Sequence, residues 1–265
     1  MKIITCIKQV YDLDIVLEND WIVDNNKVDI HYANRIINPF DETALEMMLS
    51  IKDENPSIIT EAITIGDKSS DDILRKALAL KTDTVTRIDL HHEKLRSPND
   101  TASLLYNQIT SKNVDLVLCG KQSDIRNYGQ TAQILAAKLD WPCFTDVYEI
   151  KYIDKKYTLK RLSGNNEQIV TIKGPLVISV IQSENKYLRM ATLRDMLFAK
   201  KKEIYTISNE VALKQLSESK IKNNLHSLYI EKQHKECKYL PLKQENNIYT
   251  ELSNLIKEKT GKVIL

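Results

Sequence analysis

One stretch of this sequence has the pattern expected of a phosphate-binding turn. A mainly apolar run over residues 114–119 ends at Gly120, and after a polar loop Gly129-Gln130-Thr131 opens a pattern of helical period. A buried strand that leads through a glycine-containing turn into a helix brings unpaired backbone N–H groups and the positive end of a helix dipole together. That environment suits a phosphate, so the stretch is a candidate nucleotide site. An ordinary strand-to-helix junction that binds nothing is the alternative, and the pattern alone leaves it open.

The sequence has none of the common catalytic motifs searched for. GxxxxGK[ST], GxGxxG, GxSxG and HExxH are all absent, so neither P-loop hydrolysis of a nucleotide nor serine or zinc hydrolysis is expected. The paired acids Asp71 and Asp72 are typical of the first turn of a helix. A binding protein therefore fits the inventory better than a hydrolase, and no metal site is expected. The five histidines are interpreted as surface residues: His31, His91, His92, His226 and His234.

The elements that position the candidate site alternate between strand and helix. Strands are predicted at Ile3–Ile7, Ala62–Ile65, Val85–Ile88 and Val114–Cys119. Apolar residues at helical spacing follow each of these strands, which predicts right-handed βαβ units on a mainly parallel sheet. Asp41 is expected at the N-cap or in the first turn of the first helix, so that Asn38 to Phe40 form the bend that enters it.

The pattern changes after Trp141-Pro142. Short alternating segments separated by turn residues predict a small antiparallel β insertion at about residues 147–173. The run Leu176–Ile181 is apolar enough to return to the central sheet.

The last third of the chain divides into a loop, a helix and a polar tail. Residues 183–203 begin as a polar loop and continue as an amphipathic helix whose apolar side holds Leu193, Met196 and Leu197. We predict an α/β domain over residues 1–207 and an extended C-terminal arm over 208–265. The arm is thin in apolar residues and ends in a helix.

The composition is that of a globular protein in a reducing compartment. Hydrophobic residues make up 42% of the chain, which suffices for a core without disulfide or metal staples. A net charge of +2 argues against a nucleic-acid partner. No segment approaches the roughly 18 apolar residues of a membrane span, so no stable membrane insertion is expected. The cysteines lack metal-site spacing and are expected to be reduced thiols of a cytoplasmic protein: Cys6, Cys119, Cys143 and Cys237.

Several motifs, taken together and in order, resemble the β subunit of electron transfer flavoprotein. The similarity covers roughly residues 1–207, and several motifs at compatible spacing are more specific than any single one. The matching segments are Ile7-Lys8-Gln9-Val10, Asn38-Pro39-Phe40-Asp41-Glu42 with Ala44-Leu45-Glu46, Gly120-Lys121-Gln122 with Gly129-Gln130-Thr131 and Trp141-Pro142, and Met190-Ala191-Thr192-Leu193-Arg194 with Ala199-Lys200-Lys201-Lys202.

The resemblance implies a parallel-sheet α/β fold of the Rossmann-like, adenine nucleotide alpha hydrolase-like type. It also implies an electron carrier and not an enzyme. In such a heterodimer the α subunit makes most contacts to a redox FAD, which accepts electrons from flavin-dependent, acyl-CoA-type dehydrogenases for a downstream acceptor. The β subunit is expected to bind AMP structurally or, in bifurcating relatives, a second FAD in the same pocket.

Carried over by position, the pocket is expected where the first strand, the bend into the first helix and the polar loop meet. Gln130 and Thr131 offer donors at a helix N-terminus, which agrees with a phosphate there. Phe40 is expected to approach the redox flavin and to supply an apolar wall. The nucleotide-binding residues implied are Cys6, Asn38, Pro39, Phe40, Asp41, Ile65, Gly120, Gln122, Ser123, Asn127, Gly129, Gln130 and Thr131.

Two departures from the family pattern bear on the ligand and the partner. The loop Arg126 to Thr131 differs from the phosphate loop common in bifurcating members and is closer to the AMP type, which favours AMP over a second FAD. Leu193 corresponds to the family's exposed anchor for partner dehydrogenases, although its spacing alone also fits a core residue. The loop before it lacks the family's usual proline, so the partner dehydrogenase is open to differ from the commonest acyl-CoA type.

Two other classes of protein are alternatives. A regulatory or stress protein that binds an adenine nucleotide fits a similar sheet but does not explain the Asn-Pro-Phe-Asp bend or the late Ala-Thr-Leu segment. An adenylating enzyme is expected to carry a Ser-Gly-Gly-type loop after its first strand, and Lys8-Gln9-Val10-Tyr11 is not one.

Overall fold

The computed structural model of the chain describes residues 1–17, 20–24, 27–29, 32–91, 97–123, 127–182 and 187–216, together with 253 and 257. The chain divides into two compact units, Met1–Ser227 and Leu228–Leu265. The architecture that follows belongs to the first unit. The residues on which the helix of the C-terminal arm was predicted lie outside the described part of the chain.

Strands and helices alternate through the first part of this unit. The strands are β1 (Lys2–Cys6), β2 (Gln9–Tyr11), β3 (Ile22–Asp24), β4 (Lys27–Asp29), β5 (Arg35–Ile37), β6 (Ile59–Gly66), β7 (Thr84–Asp89), β8 (Leu116–Gly120), β9 (Cys143–Ile153), β10 (Lys156–Ser163), β11 (Asn166–Ile172), β12 (Leu176–Val180) and β13 (Tyr205–Ile207). The helices are α1 (Pro39–Glu54), α2 (Asp71–Ala79), α3 (Pro98–Thr110), α4 (Thr131–Leu139), α5 (Leu193–Lys201) and α6 (Asn209–Gln215). The small pairs β2–β5 and β3–β4 are antiparallel and stand apart from the main sheet.

The main sheet has nine strands in the order β11-β10-β9-β12-β8-β1-β6-β7-β13. Along this order every neighbouring pair from β9 through β12 to β13 is parallel, whereas β10 is antiparallel to both of its neighbours, β9 and β11. The prediction of a mainly parallel, Rossmann-like α/β fold is confirmed.

Both faces of the sheet are covered, which explains why its central strands read as continuous apolar runs. Ile3 packs in the cluster that includes α1, α2 and α5, whereas the next residue, Ile4, packs in the cluster of α3, α4 and α6. This alternation follows from the two-residue period of a strand. All five residues of β12 are buried, and the predicted return of this segment to the central sheet is confirmed.

The antiparallel strands continue the sheet. β9 begins at Cys143, four residues before the predicted insertion, and its first half pairs in parallel with β12. Its second half pairs with β10, which in turn pairs with β11. The hairpin is therefore joined to the central strands by backbone hydrogen bonds.

The helix α5 exposes most of its apolar residues. Met196 and Leu197, on the predicted apolar side of the helix, are 47% and 57% exposed, and Ala199 is the buried residue of the helix. The helix packs mainly on α2.

The chain beyond residue 207 adds a further helix to the fold. β13 pairs with β7 and forms one edge of the main sheet, and α6 follows it after Ser208. Ala212 of α6 is fully buried in the cluster of α3 and α4. Within the described residues, no helix is long and apolar enough to cross a membrane.

A buried carboxylate ties together the amino ends of the central strands. Glu61 of β6 is 2% exposed and accepts a hydrogen bond of 2.6 Å from Thr86 Oγ1. Its other partners are the ammonium groups of Lys2, at 2.6 Å, and Lys112. Burial alone raises the pKa of Glu61, but the hydrogen bonds from Lys112, Lys2 and Thr86 outweigh it and hold the pKa below its usual value.

Replacing this carboxylate by an amide is expected to destabilise the fold. In Glu61→Gln two lysines lose their counter-charge, and breaking a buried ion pair in this way costs about 3 kcal/mol. Urea denaturation at neutral pH measures the loss. Glu167→Gln, on the exposed strand β11, is the control and is expected to change the unfolding free energy by less than about 0.5 kcal/mol. Equal stability of both variants would contradict this account of Glu61.

Candidate nucleotide-binding site

A cavity of about 410 Å³ opens at the carboxyl ends of β1, β6 and β8. From β1 the chain builds the sheet outward through β6 and β7, then crosses back to place β8 on the other side of β1. The carboxyl ends of β1 and β8 therefore form the topological switch point, where open α/β sheets bind their ligands.

The structure brings most of the predicted nucleotide-binding residues to this cavity. Those in its wall are Cys6, Asn38, Asp41, Ile65, Gly120, Gln122, Ser123, Gly129 and Thr131. Four others, Pro39, Phe40, Asn127 and Gln130, do not form part of the wall. Pro39 and Phe40 are half-buried in the first turn of α1, whereas Asn127 and Gln130 are exposed in the loop before α4.

The carboxylate of Asp41 joins three of the elements around the cavity. Asp41 lies in the first turn of α1, where Asn38 is the N-cap residue and Pro39 follows it, as expected for the bend that enters the helix. Its Oδ2 accepts a hydrogen bond of 2.9 Å from the backbone N–H of Lys8. Its Oδ1 accepts one of 2.9 Å from the N–H of Gly120. The side chain thus holds the ends of β1 and β8 against α1.

Glycine at position 120 is required by this contact. A Cβ on Gly120 would lie 2.2 Å from Asp41 Oδ1 and 2.8 Å from Phe40 Cβ. Neither neighbour is the far end of a flexible side chain, so a larger residue would force α1 and β8 apart.

Asp41 is a buried acid whose carboxylate accepts hydrogen bonds from two backbone N–H groups. Burial raises the pKa of Asp41 to about 7, while the hydrogen bonds from Lys8, Asn38 and Gly120 act in the opposite direction. The carboxyl group therefore changes its charge near neutral pH.

Asn38 lies in the wall of the cavity and has a buried amide oxygen without a hydrogen-bond partner among the described residues. The residue is 1% exposed, and its Nδ2 donates a hydrogen bond of 2.8 Å to the carbonyl oxygen of Gln122. This bond points the amide oxygen Oδ1 away from Gln122, and Oδ1 is buried with no hydrogen-bond partner among the described residues. A buried acceptor left in this state is costly unless a ligand or water donates to it.

Another part of the wall combines the cation of Lys8 with the N-terminus of α4. Lys8 Nζ donates a hydrogen bond of 2.9 Å to Ser123 Oγ. Thr131 is the first residue of α4, and the N-cap residue Gln130 makes no side-chain capping bond. Gly129 has a φ of +60°, a left-handed conformation that glycine adopts without strain. Positive charge and the N-terminus of α4 thus lie on the same side of the cavity, as a phosphate requires.

The floor of the cavity is apolar and contains two free cysteines. Ile63, Ile65 and Leu105 contribute aliphatic surface. Cys6 and Cys119 are direct neighbours across the parallel pair β1–β8. The pKa of the Cys119 thiol lies well above its usual value, mainly because of a hydrogen bond with Cys6 and also because the thiol is buried. These cysteines are free thiols and act as apolar wall.

Further residues of the wall were not predicted from the sequence. Lys8 directly follows the buried first strand, which is the signal that could have identified it. Gln9 is held by a hydrogen bond of 2.9 Å from its Nε2 to Ser69 O and one of 3.0 Å from Ser69 Oγ to its Oε1. Arg35 at the mouth lies 5.6 Å from the Tyr11 ring, and no sequence pattern indicated this pair. His91, expected on the surface, is partly exposed but also lines the cavity.

Leu193 lies elsewhere on the molecule, at the first position of α5. It is 76% exposed, and Met190 just before it is 95% exposed. This is not the environment of a core side chain, so packing into the core does not describe Leu193.

A sheet of this order, with its cavity at the switch point, defines an α/β protein of the Rossmann-like class. The family model of the electron transfer flavoprotein domain matches residues 26–212, which is most of the chain. The chain therefore belongs to the electron transfer flavoprotein family.

Curated relatives narrow the resemblance within this family. A probable electron transfer flavoprotein subunit beta of Saccharomyces cerevisiae is 33% identical over 63% of this chain and 65% of its own length. The electron transfer flavoprotein subunit beta of Dictyostelium discoideum is 29% identical over 77% of this chain and 80% of its own. Subunit CarD of the caffeyl-CoA reductase-Etf complex of Acetobacterium woodii is 28% identical over 74% of each chain. The resemblance to β subunits seen in the sequence motifs is thereby confirmed.

The Asp41 bridge generates a prediction about stability and pH. In Asp41→Asn the amide Nδ2 must face one of the two backbone N–H donors, so the unfolding free energy is expected to fall by about 1–3 kcal/mol. The folded pKa of Asp41 is raised, so between about pH 4 and about pH 7 the unfolded chain ionises while the folded chain stays protonated. As the pH rises through that window, the unfolding free energy of the natural protein should therefore decline. The difference in unfolding free energy between the natural protein and the variant should be larger near the acid end.

Urea denaturation at about pH 4 and about pH 8 measures both quantities. Asp72→Asn is the matched control, because Asp72 is also a first-turn helix acid but is exposed. A deficit that is the same at both pH values would show that Asp41 does not retain its proton in the folded chain.

Proposed function

We propose that the chain is one half of an electron transfer flavoprotein heterodimer and that its switch-point cavity holds the AMP moiety of a nucleotide. The α subunit is its partner, and the pair carries electrons from a flavin-dependent dehydrogenase of acyl-CoA type to a downstream acceptor. The observation that carries the nucleotide assignment is a single cavity with Lys8 and the N-terminus of α4 on one side and an unpartnered buried acceptor, Asn38 Oδ1, in its wall.

The chemistry of the cavity fits a nucleotide at each of its parts. A phosphate is favoured by the N–H groups of α4 and by the ammonium group of Lys8. A hydroxyl or amino group of the ligand can donate to Asn38 Oδ1, which removes the cost of leaving that oxygen unpaired. The aliphatic floor at Ile63, Ile65 and Leu105 suits a flat base.

The size of the cavity favours AMP over a second FAD. Small-molecule pockets span about 300–1,000 Å³, and the 410 Å³ observed here lies near the lower end of that range. A mononucleotide is matched to such a volume, whereas a dinucleotide needs room beyond it. The second candidate, a bifurcating-type subunit with a second FAD, is supported by the cation–π pair of Arg35 and Tyr11 at the open mouth, where a longer ligand would emerge.

Electron transfer itself depends on FAD, which supplies the electron-accepting ring when it is bound between the subunits. The contribution of this chain is to position and shield it. Phe40, in the first turn of α1, has its Cβ beside Gly120 and is half-buried, so it is available as an apolar wall for that ring. A regulatory or stress protein that binds an adenine nucleotide has no use for the exposed segment around Leu193.

The nucleotide content of the purified heterodimer tests the ligand assignment. Denaturation of the complex formed with its α subunit should release AMP and FAD in equal amounts, about one of each per heterodimer, as quantified by chromatography. Release of two FAD and no AMP would establish the second candidate instead. A colourless chain that hydrolyses ATP would exclude the flavoprotein assignment altogether.

Leu193 is the expected contact for the partner dehydrogenase. A side chain 76% exposed at the start of a helix can insert into a partner, and losing such an anchor costs about 2 kcal/mol or more of binding. Leu193→Ala should therefore slow reduction of the heterodimer by its dehydrogenase, with FAD content and thermal stability unchanged.

Stopped-flow reduction of the flavin provides the measurement. Ile59→Ala is the matched control, because Ile59 is 52% exposed at the amino end of β6, away from α5. Slow reduction in both variants, or unfolding of Leu193→Ala, would remove Leu193 from the docking surface.

A further inference from the structure

In the segment that precedes Leu193, one arginine, Arg189, forms hydrogen bonds and ion pairs with residues of α1. The guanidinium of Arg189 donates to both carboxylate oxygens of Glu46, at 2.7 Å from Nη2 to Oε1 and 3.0 Å from Nε to Oε2. The backbone N–H of Arg189 also donates to Oε2, at 3.0 Å. A second carboxylate, Asp53 Oδ2, lies 2.7 Å from Nη1. One side chain and its own backbone thus make at least four polar contacts with one helix.

This arrangement is stronger than an ordinary surface ion pair. Glu46 is 9% exposed, and the Arg189 side chain is only one-third exposed. Two parallel bonds between a guanidinium and a carboxylate fix orientation as well as distance. The hydrogen bonds that Arg189 donates to Glu46, with a further contribution from Asp53, raise the pKa of Arg189 despite its partial burial. The guanidinium therefore stays charged.

Arg189 lies close in sequence to two exposed residues, Met190 and Leu193. Met190 and Leu193 are exposed, and the buried residue of α5 is Ala199, near its other end. That end has its own attachment, since Arg75 of α2 donates to Ala199 O at 2.6 Å and to Lys202 O. Between the two attachments, Thr192 accepts a bond of 3.2 Å from Asp195 N at the start of α5, and Ala191 packs partly buried against the core.

We propose that Arg189 is a positioning residue for the docking surface formed by Met190 and Leu193. It acts on the partner through these two side chains and does not itself need to touch the dehydrogenase. This inference rests on the proposed function, in which the occupant of that surface is a flavin-dependent dehydrogenase. Because Arg189 is bound to α1, the docking surface and the first turn of α1 at the nucleotide cavity are fixed to the same rigid element.

A preorganised surface loses less conformational entropy when it binds than a mobile one. Loss of the Arg189–Glu46 contact should free residues 187–193 while leaving both subunits folded. The effect should fall on the KM for the heterodimer and not on the rate at saturation, since the flavin and its surroundings are unchanged. The side chain of Leu193 would still be present but no longer held in place.

The experiment uses the heterodimer and compares Arg189→Gln with the natural protein in two measurements. The first is backbone amide exchange over residues 187–199, which should accelerate by about tenfold or more around Ala191 to Leu193. The second is steady-state reduction by an acyl-CoA dehydrogenase, where KM should rise by about tenfold with kcat and FAD content unchanged. Arg189→Lys keeps the charge without the planar fork and should recover only part of the loss.

Two further variants separate positioning from general damage. Lys76→Gln removes another ion pair of α1, the one with Glu42 at 2.8 Å, and should alter neither measurement. Adding Arg189→Gln to the double variant Met190→Ala/Leu193→Ala should raise KM no further than the double variant alone, because an arginine that acts through these two side chains then has nothing left to position.

Amide exchange that is unchanged in Arg189→Gln would overturn the inference, whatever the kinetics show. Accelerated exchange with an unchanged KM would also overturn it, because the segment would then be free without consequence for docking. If no dehydrogenase reduces the natural heterodimer, the proposed function fails, while the exchange measurement still decides whether Arg189 orders the segment.

Discussion

The site depends on one carboxylate that accepts hydrogen bonds from two backbone N–H groups, one just beyond β1 and one at the end of β8. Asp41 holds the ends of β1 and β8 against the first turn of α1, at 2.9 Å on each side. This bridge fixes the first turn of α1 beside the ends of β1 and β8, and the neighbouring residues Asn38 and Gly120 lie in the wall of the cavity. The arrangement leaves no space for a side chain at position 120, because the carboxylate occupies it. It also leaves a buried acid with a pKa near neutrality, since desolvation outweighs the donors that favour its charged form.

Much of the fold follows from periodicity in the sequence. Buried parallel strands such as β8 and β12 are apolar throughout because both faces of the sheet are covered, and this is what made them recognisable. Periodicity is less informative at α5, where Leu193, Met196 and Leu197 have helical spacing but are exposed. Spacing identifies the side of a helix that is apolar, not whether the protein or a partner covers it. The resemblance to a known family, and not the spacing, is what suggested that Leu193 is presented to a partner.

The site was predictable to a different degree from the fold. Residues on motifs, such as Asn38, Gly120 and Thr131, could be placed together because the carboxyl ends of parallel strands share one edge. Lys8, Gln9 and Ser69 reach the same cavity through side-chain hydrogen bonds between residues distant in sequence, and no local pattern encodes such contacts. The same holds for Glu46 and Arg189, which are 143 positions apart. The helix α1 thus contributes its first turn to the cavity and its middle to the segment before α5, two roles that its apolar spacing does not reveal.

The strand β9 has a mechanical consequence. It is parallel to β12 along its first half and antiparallel to β10 along its second, so the nine strands form one continuous sheet, with one register shift in each of these two pairings. No hinge of the usual kind, a short unpaired connection, separates the hairpin from the central strands. A force applied to the tip at Gly164 is therefore transmitted as bending and twisting of the whole sheet. The hairpin behaves as a stiff extension of the sheet, whose orientation is fixed once the central strands have folded.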